Sequence, residues 1–354
     1  MAYTDIDKPS DYFNTKLYTG NGGTQSITGV GFAPNWVWIK DRGDTGYHQV
    51  LDTVRGATKY ISTNTDSVEA TEAAGLTSFN SDGFSLGNNT NYNSGDPRTY
   101  VSWNWKAGTS VSGTTTGSGT GKAYTGSVNT DAGFSIIRHL GNDTAGHTIP
   151  HHLGAVPKMI IGHGVSGSDA TSWTVYHHTL GNTHTISLNE TGAAVDSAVW
   201  NDTTPTSSVI SLGSSGNVND ADDAFILYSF AEKQGYSKIS SYIGNGNADG
   251  TFVYTGFKPA FVIRKVTDAS SDWIMQDNKR SESGGSNQIR NYLFPNSNQA
   301  EVSNQDYFNI DFLSNGFKMR STDGGANGSG NNYIYIAFAE NPFVTSTGVP
   351  ATAR

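Results

Sequence analysis

The stretch TGFKPAFVIRK, residues 255–265, sets a glycine and a proline ahead of alternating apolar residues that run into a basic end. The same pattern stands at 29–40 as GVGFAPNWVWIK and at 153–163 as LGAVPKMIIGH. Proline lacks an N–H and is tolerated at the start of a strand, so each copy reads as a turn feeding a strand. These strands are expected at Trp36–Lys40, Met159–His163 and Phe261–Lys265.

The neighbouring sequence repeats in step. A Gly–Asn turn precedes each copy, in YTGNGG (18–23), HLGNDT (139–144) and YIGNGN (242–247). An aromatic residue then opens a further strand at Tyr47, Trp173 and Trp273. The copies close on YVSWNWKA (100–107), FILYSFAE (225–232) and YIYIAFAE (333–340). Period-2 alternation puts Val101, Trp103 and Trp105 on one face, and likewise Ile226, Tyr228, Phe230 and Ile334, Ile336, Phe338. That face is expected to fill a two-sheet core, with the other face only partly covered. SDGFSLG (81–87) and SNGFKMR (314–320) supply tight turns into the penultimate strands. DSVEATEAAGL (66–76) could form one short helix.

The fold class is therefore all-β: three tandem antiparallel β-sandwich units of jelly-roll or lectin-like type. Their expected limits are 12–107, 134–233 and 237–343, with a Gly/Ser/Thr-rich linker at 108–133 and a C-terminal tail at 344–354. A propeller would repeat at roughly 40–50 residues, a period this chain lacks.

Composition narrows the function classes. The net charge is −9 and no lysine or arginine cluster exists, which argues against a nucleic-acid partner. No run of about 20 apolar residues predicts membrane insertion, and the first residues lack the pattern of a signal peptide. With no cysteine, disulfides and thiolate metal sites are excluded.

DKPSDYFNTKLYTGNG, LGNT…LN (180–189), FAEKQGYSKISSYIGNGNADGTFVYTGFKPAFVIRK and FLSNGFKMRSTDG…YIYIAFAENPF together resemble a repeat of unknown function. That repeat occurs in virion-associated proteins of marine tailed bacteriophages and is described as a lectin-like β-sandwich. The resemblance covers residues 12–343 and brings no catalytic residues with it. It implies a place in the phage particle for a chain made in the host cytoplasm. The expected role is a non-enzymatic tail fibre or adsorption component binding host-surface glycan. The alternatives are a capsid decoration or head-fibre protein binding other virion chains, then a polysaccharide depolymerase. A homo-oligomer is expected, with a trimer as the usual fibre arrangement, and no cofactor.

Ligand chemistry is sought in the polar loops before each closing strand, NNTNYNSGDPR (88–98), SSGNVNDADD (214–223) and STDGGANGSGNN (321–332). Tyr92 is the candidate stacking ring, and Asp96, Asp220, Asp222, Asp223, Asp323 and Asn327 the candidate polar contacts. Asp220, Asp222 and Asp223 could also serve calcium through oxygen ligands, although the same residue types suit plain turn geometry and no metal is expected. Eight of the nine histidines fall between His139 and His184, yet no spaced ligand motif joins them. Asp52 and Asp277 occupy matching positions where the second copy has His177, which argues for structure over acid catalysis. GTTTGSGTGKA (113–123) fails the phosphate-loop pattern. Trp36, Trp38, Trp103 and Trp105 are assigned to the core.

Overall fold

The computed structural model describes residues 4–96, 98–167, 171–280, 287–303 and 305–350. It is nearly all β, with two four-residue helices at Thr90–Asn93 and Gly216–Asn219. Six antiparallel sheets pair off along the chain. Each large sheet is built the same way: a first strand, the closing strand, the strand of the repeated stretch, then the next strand in sequence. In the first segment these are Phe13–Thr19, Thr99–Trp105, Trp36–Asp41 and Gln49–Asp52. The second segment uses Phe134–Leu140, Ala224–Phe230, Met159–Gly164 and Thr174–His177. The third uses Ser237–Ile243, Asn332–Pro342, Phe257–Val266 and Ile274–Asp277.

The repeated stretch has a local cause. Gly31, Gly154 and Gly256 take φ of 93°, 67° and 82°, a left-handed conformation that glycine adopts without a Cβ penalty. The proline follows three residues later, and at Pro259 the register slips, as expected where a ladder donor is missing.

A smaller sheet covers one face of each large sheet. Val37, Ile39, Leu51 and Tyr100 meet Ile27, Phe84 and Leu86 in the first segment. Ile137, Ile160 and Leu227 meet Ile149, Ile210 and Leu212 in the second, and Val262, Tyr333 and Tyr335 meet Val253, Ile310 and Phe317 in the third.

The opposite face departs from expectation. Trp103, Trp105, Tyr228, Phe230, Ile336 and Phe338 lie outside these sandwich cores, in one cluster shared by all three segments. Trp36 stacks on Tyr228 at 4.7 Å, Phe13 packs on Phe261 at 5.4 Å and Phe230 on Phe338 at 6.0 Å. The three large sheets thus face one another, and the strand Trp36–Asp41 is buried along its whole length. Fully burying one tryptophan there contributes on the order of 4–6 kcal/mol by area.

Three further expectations are corrected. The 108–133 stretch is not a linker: Thr109–Thr114 and Ala123–Asn129 pair with each other and extend the second large sheet beyond Phe134–Leu140. Threonine and serine suit an edge strand as well as a flexible chain, so composition misled here. Residues 66–76 hold a short strand at Ala70–Thr71 and turns in place of a helix, because Glu72 caps Ala74 N–H and the chain turns at Gly75. Tyr47 is exposed, and His48 occupies the position matching Trp173 and Trp273. The match shows in the backbone: the N–H of His48, Trp173 and Trp273 donates at 2.9 Å to the side-chain oxygen of Asn64, Asn189 and Asn296 respectively.

Candidate functional site

The repeated Gly–Asn turn is explained by one buried amide per segment. Asn327 donates to Asn245 Oδ1, the Asn247 carbonyl and the Ser321 carbonyl at 2.8–2.9 Å, and accepts from Asn245 N–H at 3.1 Å. Asn93 makes the same contacts with Asn21, Gly23 and Gly87, while Asn219 donates to the Thr144 and Gly213 carbonyls and accepts from Asn142 N–H. A side chain at Gly20, Gly141 or Gly244 would collide with backbone oxygen at 2.1–2.4 Å, which fixes glycine at the turn. The polar loops are therefore pinned from inside.

This geometry takes two of the ligand candidates, Asn327 and Tyr92, out of reach of solvent. Asn327 is fully buried, with its amide occupied. Tyr92 is also buried and directs its hydroxyl to Gln49 Oε1 at 3.2 Å, so its ring offers no stacking face. Asp96 is exposed, 4.0 Å from Arg98. Asp222 pairs with Lys122, and Asp220 Oδ1 accepts from Ala221 N–H at 2.9 Å. The Asp223 carbonyl accepts from Gly141 N–H at 2.9 Å. Among the described residues no three His, Asp or Glu side chains gather as a metal site.

The histidines are spent one at a time. His139, His147, His151, His163 and His177 are fully buried. Desolvation lowers His139 and His177 to about 3, and His151 and His163 to about 4. His147 bridges Asn219 Oδ1 at 2.7 Å and Thr115 Oγ1 at 2.6 Å. His163 stacks on Trp173 at 4.3 Å and reaches the Ser67 carbonyl at 3.1 Å.

Asp52 and Asp277 are fully buried joints between segments. Each carboxylate pairs with an arginine three residues on, Arg55 at 2.6 Å and Arg280 at 2.5 Å, and accepts two backbone N–H groups. Asp52 also accepts from the Tyr228 hydroxyl at 2.7 Å, and Asp277 from Trp103 Nε1 at 3.0 Å. At the third joint His177 reaches the Tyr335 carbonyl at 3.4 Å. Backbone bonds repeat the cycle: Glu69 N–H to the Val165 carbonyl, Ala194 to Thr267, and Glu301 to Arg42, at 3.2, 2.8 and 2.9 Å. Trp173 Nε1 donates to the Ser62 carbonyl and Trp273 Nε1 to that of Ser187, both at 2.9 Å. First segment meets second, second meets third, and third meets first.

One polar cleft of about 610 Å³ lies on the outside of the third segment, lined by Asp306, Tyr307, Arg320 and Asp323 among others. Tyr307 is 61% exposed. Asp323 Oδ1 accepts from Gly325 N–H at 2.7 Å, and Arg320 pairs with Asp249 and Asp311 at 2.6 Å. An accessible ring beside carboxylate and guanidinium groups can stack on an apolar sugar face while the polar groups take hydroxyls. Of the sequence candidates only Asp323 reaches this cleft; Tyr307 and Arg320 were missed, their one signal being a ring within a polar turn.

A family model described as a domain of unknown function, DUF7483, matches residues 8–342. The chain belongs to the DUF7483 family. No curated protein and no solved structure matches it. The DUF7483 match spans all six sheets and every joint between the segments.

Proposed function

We propose that the chain is a non-catalytic structural protein of a bacteriophage particle, three lectin-like copies of one sandwich unit closed into a ring, serving host adsorption by binding surface glycan. One observation carries this reading. The buried groups with catalytic chemistry, Asp52, Asp277 and His177, are committed to joints between segments, while an accessible polar cleft with the Tyr307 ring lies outside. The sequence resemblance supplies the particle. The cyclic order of joints favours a second reading as well: a body that repeats three times suits a threefold position on a capsid, where it would act as a decoration protein.

The test has two parts. Cryo-electron microscopy of purified particles should find the chain at the tail or its fibres. A glycan array should then give binding by the wild type and loss on Tyr307→Ala. Density across the capsid would favour decoration, and absence from the particle would refute both readings.

A further inference from the structure

In the second segment the strand His147–Pro150 is covered on its outer side by Thr116–Gly117, and Ala123–Asn129 covers the neighbouring strand Phe134–Leu140. The chain thus seals this side of the sandwich with its own residues. The matching strands Gln25–Thr28 and Phe252–Tyr254 stand at the edges of their sheets in the first and third segments. Their inward residues correspond: Ile27, Ile149 and Val253 each enter the local sandwich core.

The outward residues differ. The first segment places Ser26 and Thr28 there, while the third places Phe252 and Tyr254, 44% and 60% exposed. Ile243, at the end of the adjoining strand, is 61% exposed, where the first segment has Thr19 and the second a half-buried Leu140. Met319 N–H donates to the Thr251 carbonyl, so Thr251 and Val253 face the paired strand Gly316–Met319. Alternation leaves the N–H and C=O of Phe252 and Tyr254 on the open edge. Native edge strands are commonly blunted by proline, charge or a covering element, and among the described residues this one has none of these.

We propose that this edge is an interface between two copies of the chain, joined by antiparallel pairing of the Phe252–Tyr254 strands. Two features of the edge favour a second copy. An antiparallel edge is self-complementary about a twofold axis, and pairing centred on Val253 sets Phe252 of each copy opposite Tyr254 of the other. The patch is also free of unbalanced charge, since the nearby Lys318 and Arg320 are matched by Asp249 and Asp311. The same edge type is already sealed by a strand in the second segment, so the geometry accepts one.

The test is sedimentation velocity on the full chain and on Phe252→Ser/Tyr254→Thr, which carries the residues of the first segment. We expect reversible dimers of the wild type and association at least ~10-fold weaker in the variant, with unchanged far-UV circular dichroism. A wild type that stays monomeric at ~100 µM, or a variant that associates as tightly, overturns the proposal. The absence of cysteine allows a second measurement. Phe252→Cys/Tyr254→Cys should give a disulfide-linked dimer under mild oxidation, and Ser26→Cys/Thr28→Cys should not. Equal crosslinking of the two overturns the proposal.

Discussion

Replacing Tyr228 by phenylalanine removes one hydroxyl and nothing else from the joint between the first and second segments. That hydroxyl donates at 2.7 Å to Asp52, a fully buried carboxylate. Asp52 keeps Arg55 Nε and the backbone N–H groups of Val54 and Arg55, so the carboxylate loses one of its four donors. A hydrogen bond to a charged group contributes about 1.5–3 kcal/mol, and no cavity term is added because the ring stays. The expected loss is about 2 kcal/mol, read as a lower urea midpoint at unchanged slope. All seven tryptophans are buried, so their fluorescence follows the whole molecule. Because the joints close a cycle, the transition should remain single. A midpoint within ~0.5 kcal/mol of wild type, or an early transition confined to part of the signal, would refute the role given to this joint.

Asn327→Ala should cost about 3 kcal/mol, since it strands the Asn247 and Ser321 carbonyls and Asn245 N–H; hydrogen exchange should rise first at 244–250, and uniform protection there would count against the pin. Acid should destabilise the fold. His139, His151, His163 and His177 sit below the ordinary imidazole value, so protonation favours the unfolded chain; stability is complete above pH ~6.5 and falls below it, by on the order of 2 kcal/mol per histidine at pH 5. Denaturation midpoints flat from pH 8 to pH 5 would contradict this. Arg280→Met should cost about 3–5 kcal/mol by leaving Asp277 and Glu301 buried with a lost partner, whereas loss of the surface pair through Lys8→Met should cost under ~1 kcal/mol. Equal thermal shifts for the two would sink that distinction.

The sequence carried the strands because their signals are local. Glycine at positive φ, proline ahead of a strand and period-2 alternation all act within about ten residues. Which surface covers a face is not local. Alternation grouped Trp103 with Trp105 correctly, but nothing in the pattern distinguished a partner sheet of the same segment from the sheets of the other two. The His48 match was hidden by a one-residue offset and a change from indole to imidazole. The buried Asn93, Asn219 and Asn327 were legible in principle, six or seven residues ahead of Tyr100, Phe225 and Tyr333 and always accompanied by a Gly–Asn turn. They read as loop polarity because turn chemistry and a buried amide use the same residue type.

The second segment explains why the three joints differ without the cycle opening. Trp103 and Tyr228 present donors to Asp277 and Asp52, while the matching residue of the third closing strand is Ile336, which has none. A carboxylate facing Ile336 would be buried without that partner, at a cost of several kcal/mol. The chain has His177 there instead. Thr179 N–H donates to its Nδ1 at 3.3 Å, leaving Nε2–H to donate to the Tyr335 carbonyl. The rest of the ionic set changes with it: Leu180 stands where Arg55 and Arg280 do, and Ala194 where Glu69 and Glu301 do, both packed against the shared core. Such a replacement is tolerable only as a set, because each single step would strand a buried charge. The joint is therefore specified by the pairing of one segment's loop with the next segment's closing strand, and that coupling preserves the threefold order while individual residues diverge.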